Sequence, residues 1–131
     1  MIGLDTNVVI RHLVQDDQDQ SQAASALMDT LTETEPGYLS VIAVVEVYWV
    51  LRRAYRISAE RCVELLSNLV DTRELRIDQE SVVRAALDAS DDGLEFPDAV
   101  IAELGHTAGC HYTMTFDRPA ARTGRMRLMT F

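Results

Sequence analysis

The chain predicts an α/β fold built on a mainly parallel sheet, and three observations lead there. Short apolar strands alternate with longer helical stretches along its whole length, the pattern of a sheet covered by helices on both faces. Cap and turn residues (Ser40, Ser58, Pro36-Gly37, Pro97) stand at the junctions. No internal repeat, linker or low-complexity segment interrupts the 131 residues. Residues 1–131 therefore predict a single domain, able to bury roughly two-thirds of its unfolded surface.

Residues 2–5 form a short apolar strand, and Asp5-Thr-Asn7 supplies capping residues for a helix over Val8–Val14. The polar stretch Gln15–Gln20 predicts a loop. A helix carrying Ala23, Ala24, Ala26, Leu27 and Leu31 follows and ends near Pro36-Gly37. Tyr38-Leu39 makes a second strand. Ser40 is suited to cap a helix running to about Tyr55, with Arg52 and Arg53 at its end, where the helix dipole favours cations. Ser58 caps the next helix with an incomplete capping box, since Arg61 replaces Glu or Gln. Val63, Leu65, Leu66 and Leu69 form its apolar stripe. Glu74–Asp78 alternates like a half-buried strand. Ser81–Ala89 is helical, Asp91-Asp92-Gly93 is a turn, and Pro97 suits the first position of a helix flanked at its end by Gly105 and Gly109. Tyr112–Phe116 and Arg127–Thr130 complete the strands.

A hydrophobic fraction of 47% and a charged fraction of 25% are those of an ordinary globule. No apolar run approaches the ~20 residues needed to cross a bilayer. The start of the chain lacks the basic, apolar and cleavage segments of a signal peptide. Cys62 and Cys110 have no metal-site spacing, so they predict free buried thiols in a reducing cytoplasm. The net charge of −9 excludes a broad nucleic-acid-coating protein. Two local basic clusters run against it: Arg52, Arg53 and Arg56, and a tail with Arg118, Arg122, Arg125 and Arg127 and no acid after Asp117. Such clusters are either solvated faces or rims that hold a polyanion beside an acidic centre.

Four acids concentrate the chemistry. Asp5 closes the first strand, Glu46 sits inside the apolar run Val41–Leu51, Asp98 opens a helix, and Asp117 ends the Tyr112–Phe116 strand. A carboxylate at a core position costs several kcal/mol, by rough estimate, unless it is paired or neutralised. The chain has no Lys, and no Arg is adjacent to Asp5, Glu46 or Asp98 (Asp117 alone is followed by one, Arg118), which makes a bound cation the natural compensator. Oxygen-only ligation suits Mg²⁺ or Mn²⁺ over zinc. Taken singly, Asp5 reads equally as a helix cap and Asp98 as a first-turn acid, and Asp117 reads better as a turn residue. Glu46, ringed by Val44, Val45, Val47, Tyr48 and Trp49, fits a solvated face least well.

Asp5-Thr-Asn7 with Val-Val-Ile, Val-Val-Glu46-Val-Tyr-Trp-Val-Leu-Arg-Arg, Phe-Pro-Asp98-Ala-Val-Ile-Ala and Thr115-Phe-Asp117-Arg, in this order, resemble the PIN domain and within it the VapC-type toxin ribonucleases. The resemblance covers essentially the whole chain. It implies a three-layer α/β/α sandwich, Mg²⁺- or Mn²⁺-dependent endoribonuclease activity, a homodimer, and a cognate antitoxin that inserts a segment near the acids. Asp5, Glu46, Asp98 and Asp117 match the family's acidic quartet, while Asn7 and Thr115 match supporting polar positions. Glu95-Phe-Pro-Asp98 departs from the pattern by its proline.

Hydrolysis of an RNA phosphodiester by metal-activated water is the expectation. Asp5 and Asp98 bind the ion, Glu46 and Asp117 ligate it or orient its waters, and Thr6, Asn7 and Thr115 hold the carboxylates. Two rivals remain. Asp5-Thr-Asn7 also resembles the start of haloacid-dehalogenase-like phosphatases, though Asn replaces their second acid and no Lys follows. A non-catalytic metal-binding partner module would use the Val41–Leu51 helix for assembly. His12, His106 and His111 predict packing or surface roles, and no Ser or Cys pairs with a His for covalent catalysis.

Overall fold

The computed structural model describes residues 1–91 and 93–131. Asp92, and with it the centre of the expected Asp91–Gly93 turn, lies outside the described residues, as does the side chain of Thr123. The chain forms two compact units, Met1–Glu80 and Ser81–Phe131.

In the first unit, β1 (Ile2–Gly3), β2 (Gly37–Leu39) and β3 (Leu75–Ile77) make a parallel sheet in the order β1-β2-β3. The register pairs Gly3 with Tyr38 and Tyr38 with Arg76. Helices α1 (Thr6–Val14) and α2 (Gln18–Thr30) connect the first two strands, and α3 (Val41–Arg53) and α4 (Ala59–Val70) the second two. Because the strands are parallel, their carboxyl ends share one edge, where Asp5, Ser40 and Asp78 emerge. Helix α1 packs on α2 and α3, and α3 on α4. Gly37 is needed for close packing, since a Cβ there would lie 2.9 Å from side-chain atoms of both Leu31 and Leu4.

Caps explain most helix boundaries. Ser40 Oγ accepts from Ala43 N at 3.0 Å, Ser58 Oγ from Arg61 N at 3.1 Å and Asp17 Oδ1 from Gln20 N at 2.9 Å. The Ser58 cap works without the second half of its capping box. The Asp17 cap starts α2 inside the expected loop. Helix α2 stops at Thr30 instead of near Pro36-Gly37, because Thr32 closes a turn on Glu35 through Thr32 N to Glu35 O (3.1 Å) and Glu35 N to Thr32 Oγ1 (3.0 Å). Local side-chain bonds of this kind compete with helix. On α3, Val44, Val47, Tyr48 and Leu51 form the fully buried i, i+3, i+4, i+7 face. Tyr48 is thus core, while half-buried Trp49 carries the Arg53 guanidinium 4.2 Å from its ring centroid.

The second unit holds α6 (Phe96–Thr107), β4 (Thr113–Thr115), a 3₁₀ helix (Ala120–Thr123) and β5 (Met126–Leu128). Helix α5 (Glu80–Ala89) lies in it apart from its first residue. Strands β4 and β5 pair in parallel, Met114 against Arg127. Val83, Ala86, Leu94, Phe96 and Ala99 are buried, each such apolar side chain contributing about 1–3 kcal/mol when large. Glu95 occupies the cap of α6, so Pro97 is its second residue, where a missing N–H still costs nothing. Gly109 has φ +99°, the left-handed turn that releases the chain from α6 toward β4.

Both cysteines are free, and Cys62 is buried as expected. Cys110 is exposed, because it follows the Gly109 turn instead of lying within an element. Among the described residues no helix is long and apolar enough to cross a membrane.

Candidate active site

In the first unit, Asp5 takes the N-cap position of α1 with extended backbone (φ −80°, ψ 157°), yet its side chain makes no capping hydrogen bond. The backbone carbonyl alone starts the helix, accepting from Val8 N at 3.1 Å. The Asp5 carboxylate is therefore exposed and uncommitted. Asp78 offers the contrast on the same edge: its Oδ2 accepts from Val41 N at 3.4 Å, at the start of α3.

One residue into α1, Thr6 is buried, and its Oγ1 donates to Glu46 Oε2 at 2.8 Å. A hydrogen bond to a charged acceptor contributes about 1.5–3 kcal/mol. It fixes one oxygen of Glu46, forty positions away in α3, beside the beginning of α1 and leaves the other free. Asn7 is exposed and makes no side-chain hydrogen bond among the described residues.

The second unit brings Asp98 and Asp117 together. Asp98 is half-buried in the first turn of α6 and makes no side-chain hydrogen bond among the described residues. Its carboxyl is raised above the usual carboxylate range, first by burial, then by the charge of Asp117, then by that of Glu95. Like charges in one place raise proton affinity, and the same imbalance favours a cation. Asp117 is tied into the turn after β4, its N donating to Thr115 Oγ1 at 3.0 Å and its Oδ1 accepting from Ala120 N at 3.3 Å. Thr115 thus orients the Asp117 backbone, and the turn-residue reading of Asp117 holds alongside any other role.

The premise that the four acids occupy core positions is corrected. Asp5, Glu46 and Asp117 are exposed and only Asp98 is half-buried. Glu46 misled because β-branched residues occupy more than one face of α3. Ile42, one turn before Glu46 on the same stripe, is itself 68% exposed. The acids sit where apolar elements end or turn outward, so geometry at strand and helix ends marks them, not desolvation. Glu95 was missed as a neighbour of Asp98. Its signal lay in Glu95-Phe-Pro-Asp98, where spacing of three at a helix start places both acids on the first turn.

The donor chemistry fits a hard divalent cation: the candidate ligands are carboxylate oxygens, and Asp98 stands in a local excess of negative charge. Within neither unit do three or more His, Cys, Asp or Glu side chains, among the described residues, stand grouped to hold an ion by themselves.

A parallel α/β arrangement with uncommitted acids at strand and helix ends defines a class of proteins that work at the carboxyl edge of the sheet. The family model of the PIN domain matches residues 2–126, and the chain belongs to the PIN-domain family. Its helices and parallel strands are those of the PIN-like α/β/α fold. PIN domains are generally nucleases that typically bind divalent metal ions, which gives this chain its coarse class of hydrolase. No curated protein matches the chain.

Proposed function

We propose that residues 1–131 act as one PIN-like domain, a Mg²⁺- or Mn²⁺-dependent endoribonuclease of the VapC type. In this reading it is the toxin of a toxin–antitoxin pair, working in the cytoplasm as a homodimer and restrained by a cognate antitoxin. The observation that carries the reading is the state of Asp5 and Asp98: both stand at helix starts, and neither side chain makes a hydrogen bond among the described residues. Asp5 and Asp98 hold the ion, and Glu46 and Asp117 complete the ligation or orient water. Thr6 steadies Glu46 through its hydrogen bond, and Thr115 steadies Asp117 through its backbone. Asn7 supports the Asp5 segment as its neighbour on α1. When bound, Mg²⁺ or Mn²⁺ supplies a water of lowered pKa and shields the phosphodiester's charge.

The test is incubation of purified, antitoxin-free protein with total cellular RNA in Mg²⁺, in Mn²⁺ and in EDTA, beside Asp98→Asn. Discrete fragments that require both metal and Asp98 support the reading. Equal cleavage by Asp98→Asn or in EDTA overturns the mechanism.

A further inference from the structure

The basic tail has a place in the second unit that the acids do not account for. Along β4 and its two flanking residues exposure alternates: Tyr112, Met114 and Phe116 are exposed (40%, 46% and 70%), while Thr113 and Thr115 are half-buried. Three large apolar side chains thus recur at the two-residue period of a strand, Met114 on β4 and Tyr112 and Phe116 at its two ends. The parallel partner β5 sets exposed Arg127 directly opposite Met114. The Arg127 guanidinium stacks 3.7 Å from the centroid of the Tyr112 ring. At the other end of the row, Phe131 meets Phe116 edge to face, ring centroids 6.0 Å apart. Arg118 follows Phe116 by two residues, exposed and without an ion pair among the described residues. Arg125 is different: it is paired to Glu103 at 2.9 Å and belongs to the scaffold.

We propose that this face of β4 and β5 is a stacking platform for single-stranded RNA, with bases on Tyr112 and Phe116 and phosphates on Arg127 and Arg118. The proposal rests on the ribonuclease reading and names how its substrate is held. Exposed aromatic rings interleaved with arginines are the chemistry that binds single strands without reading their sequence. Every base offers a π-face, and a stacked guanidinium keeps its N–H edges free for phosphate oxygens. Charge selects this occupant. From Arg118 onward the chain carries four arginines and no acid, whereas the whole chain has net charge −9. A second copy docked across a two-fold axis would set this basic patch against itself. Position agrees as well, because Asp117 is the next residue after Phe116. A strand lying along the row is delivered to the acids of this unit.

The experiment is fluorescence anisotropy of the full chain carrying Asp98→Asn, in EDTA, with a fluorescein-labelled mixed-sequence RNA of about 12 nucleotides, and with the same RNA as a duplex. Phe116→Ala and Tyr112→Ala should each weaken single-strand binding roughly 5- to 150-fold. Arg118→Gln and Arg127→Gln should each lower the salt dependence of log Kd by about 0.7. Ile101→Ala, an equally exposed apolar residue on α6, is the control and should bind like the parent. The duplex, whose bases are already stacked, should bind more weakly. Circular dichroism verifies folding of each variant. Unchanged affinity in both aromatic variants, or no binding by the parent, overturns the platform. Light scattering that shows Phe116→Ala dissociating a dimer, with RNA affinity unchanged, overturns it in favour of a second copy. Platform-dependent binding by a chain whose wild type cleaves no RNA would sink the ribonuclease reading and leave the platform standing.

Discussion

The two halves of the acid set are held in opposite ways. In the first unit, Glu46 rests on a neutral donor, the buried Thr6 hydroxyl, and Asp5 stands open at the start of α1. In the second, Asp98 is unsettled first by burial and then by the charges of Asp117 and Glu95. A hydroxyl positions a carboxylate. Neighbouring carboxylates press it toward a proton or a cation. Under the proposed function, Thr6 would place Glu46, and Asp98 would favour positive charge.

Four outcomes break or sharpen this contrast. The largest effect belongs to Asp98→Asn and Asp5→Asn. Each should reduce metal-dependent RNA cleavage well beyond the roughly 10–100-fold typical of a lost supporting bond. Near-wild-type rates for either would remove that residue from the metal set. Thr6→Val should cost roughly 10–100-fold in Mn²⁺ affinity or cleavage rate, because Glu46 loses its positioning donor. Isothermal titration with Mn²⁺ reads the first quantity directly, and unaltered affinity and rate would make the Thr6–Glu46 bond purely structural.

A smaller effect separates capping from site chemistry. Ser40→Ala and Ser58→Ala should each lower stability by about 1 kcal/mol in urea denaturation, since each hydroxyl satisfies a helix N–H. Asp5→Ala removes no such bond and should cost clearly less. A loss as large as that of Ser40→Ala would mean that Asp5 serves α1 after all.

The subtlest test is the pH dependence of Asp98. Its folded pKa is raised, so its contribution to stability is fully present below the unfolded carboxylate pKa and is lost as pH rises through the folded pKa. Asp98→Asn should therefore gain stability relative to wild type as pH climbs through that window, with metal absent. Thermal melts in EDTA at successive pH values measure the difference. A constant offset across the window would show that neither burial nor its acidic neighbours raise the Asp98 pKa.

Much of this protein was legible along the chain because the signals are local. Ser40 and Ser58 announced α3 and α4 through hydroxyls that reach three residues ahead, and alternation over Glu74–Asp78 announced β3. The four acids are candidates by the same means, as interruptions of apolar runs, although none of them is fully buried. Helix α2 was extended too far because the Thr32–Glu35 turn leaves no periodic trace. Glu46 was misplaced because α3 is apolar on more than its buried face, and periodicity cannot say which apolar stripe meets the core.

The sequence by itself determined the order of elements, the helix caps and the candidates Asp5, Glu46, Asp98 and Asp117, because propensity, capping and periodicity act within a few residues. Only the tertiary structure decided that Thr6 holds Glu46 across forty positions, that burial and Asp117 act on Asp98, and that Arg127 stacks on Tyr112. Hydrogen bonds and ring contacts operate over a few ångströms of space, and only folding brings distant positions of a chain that close.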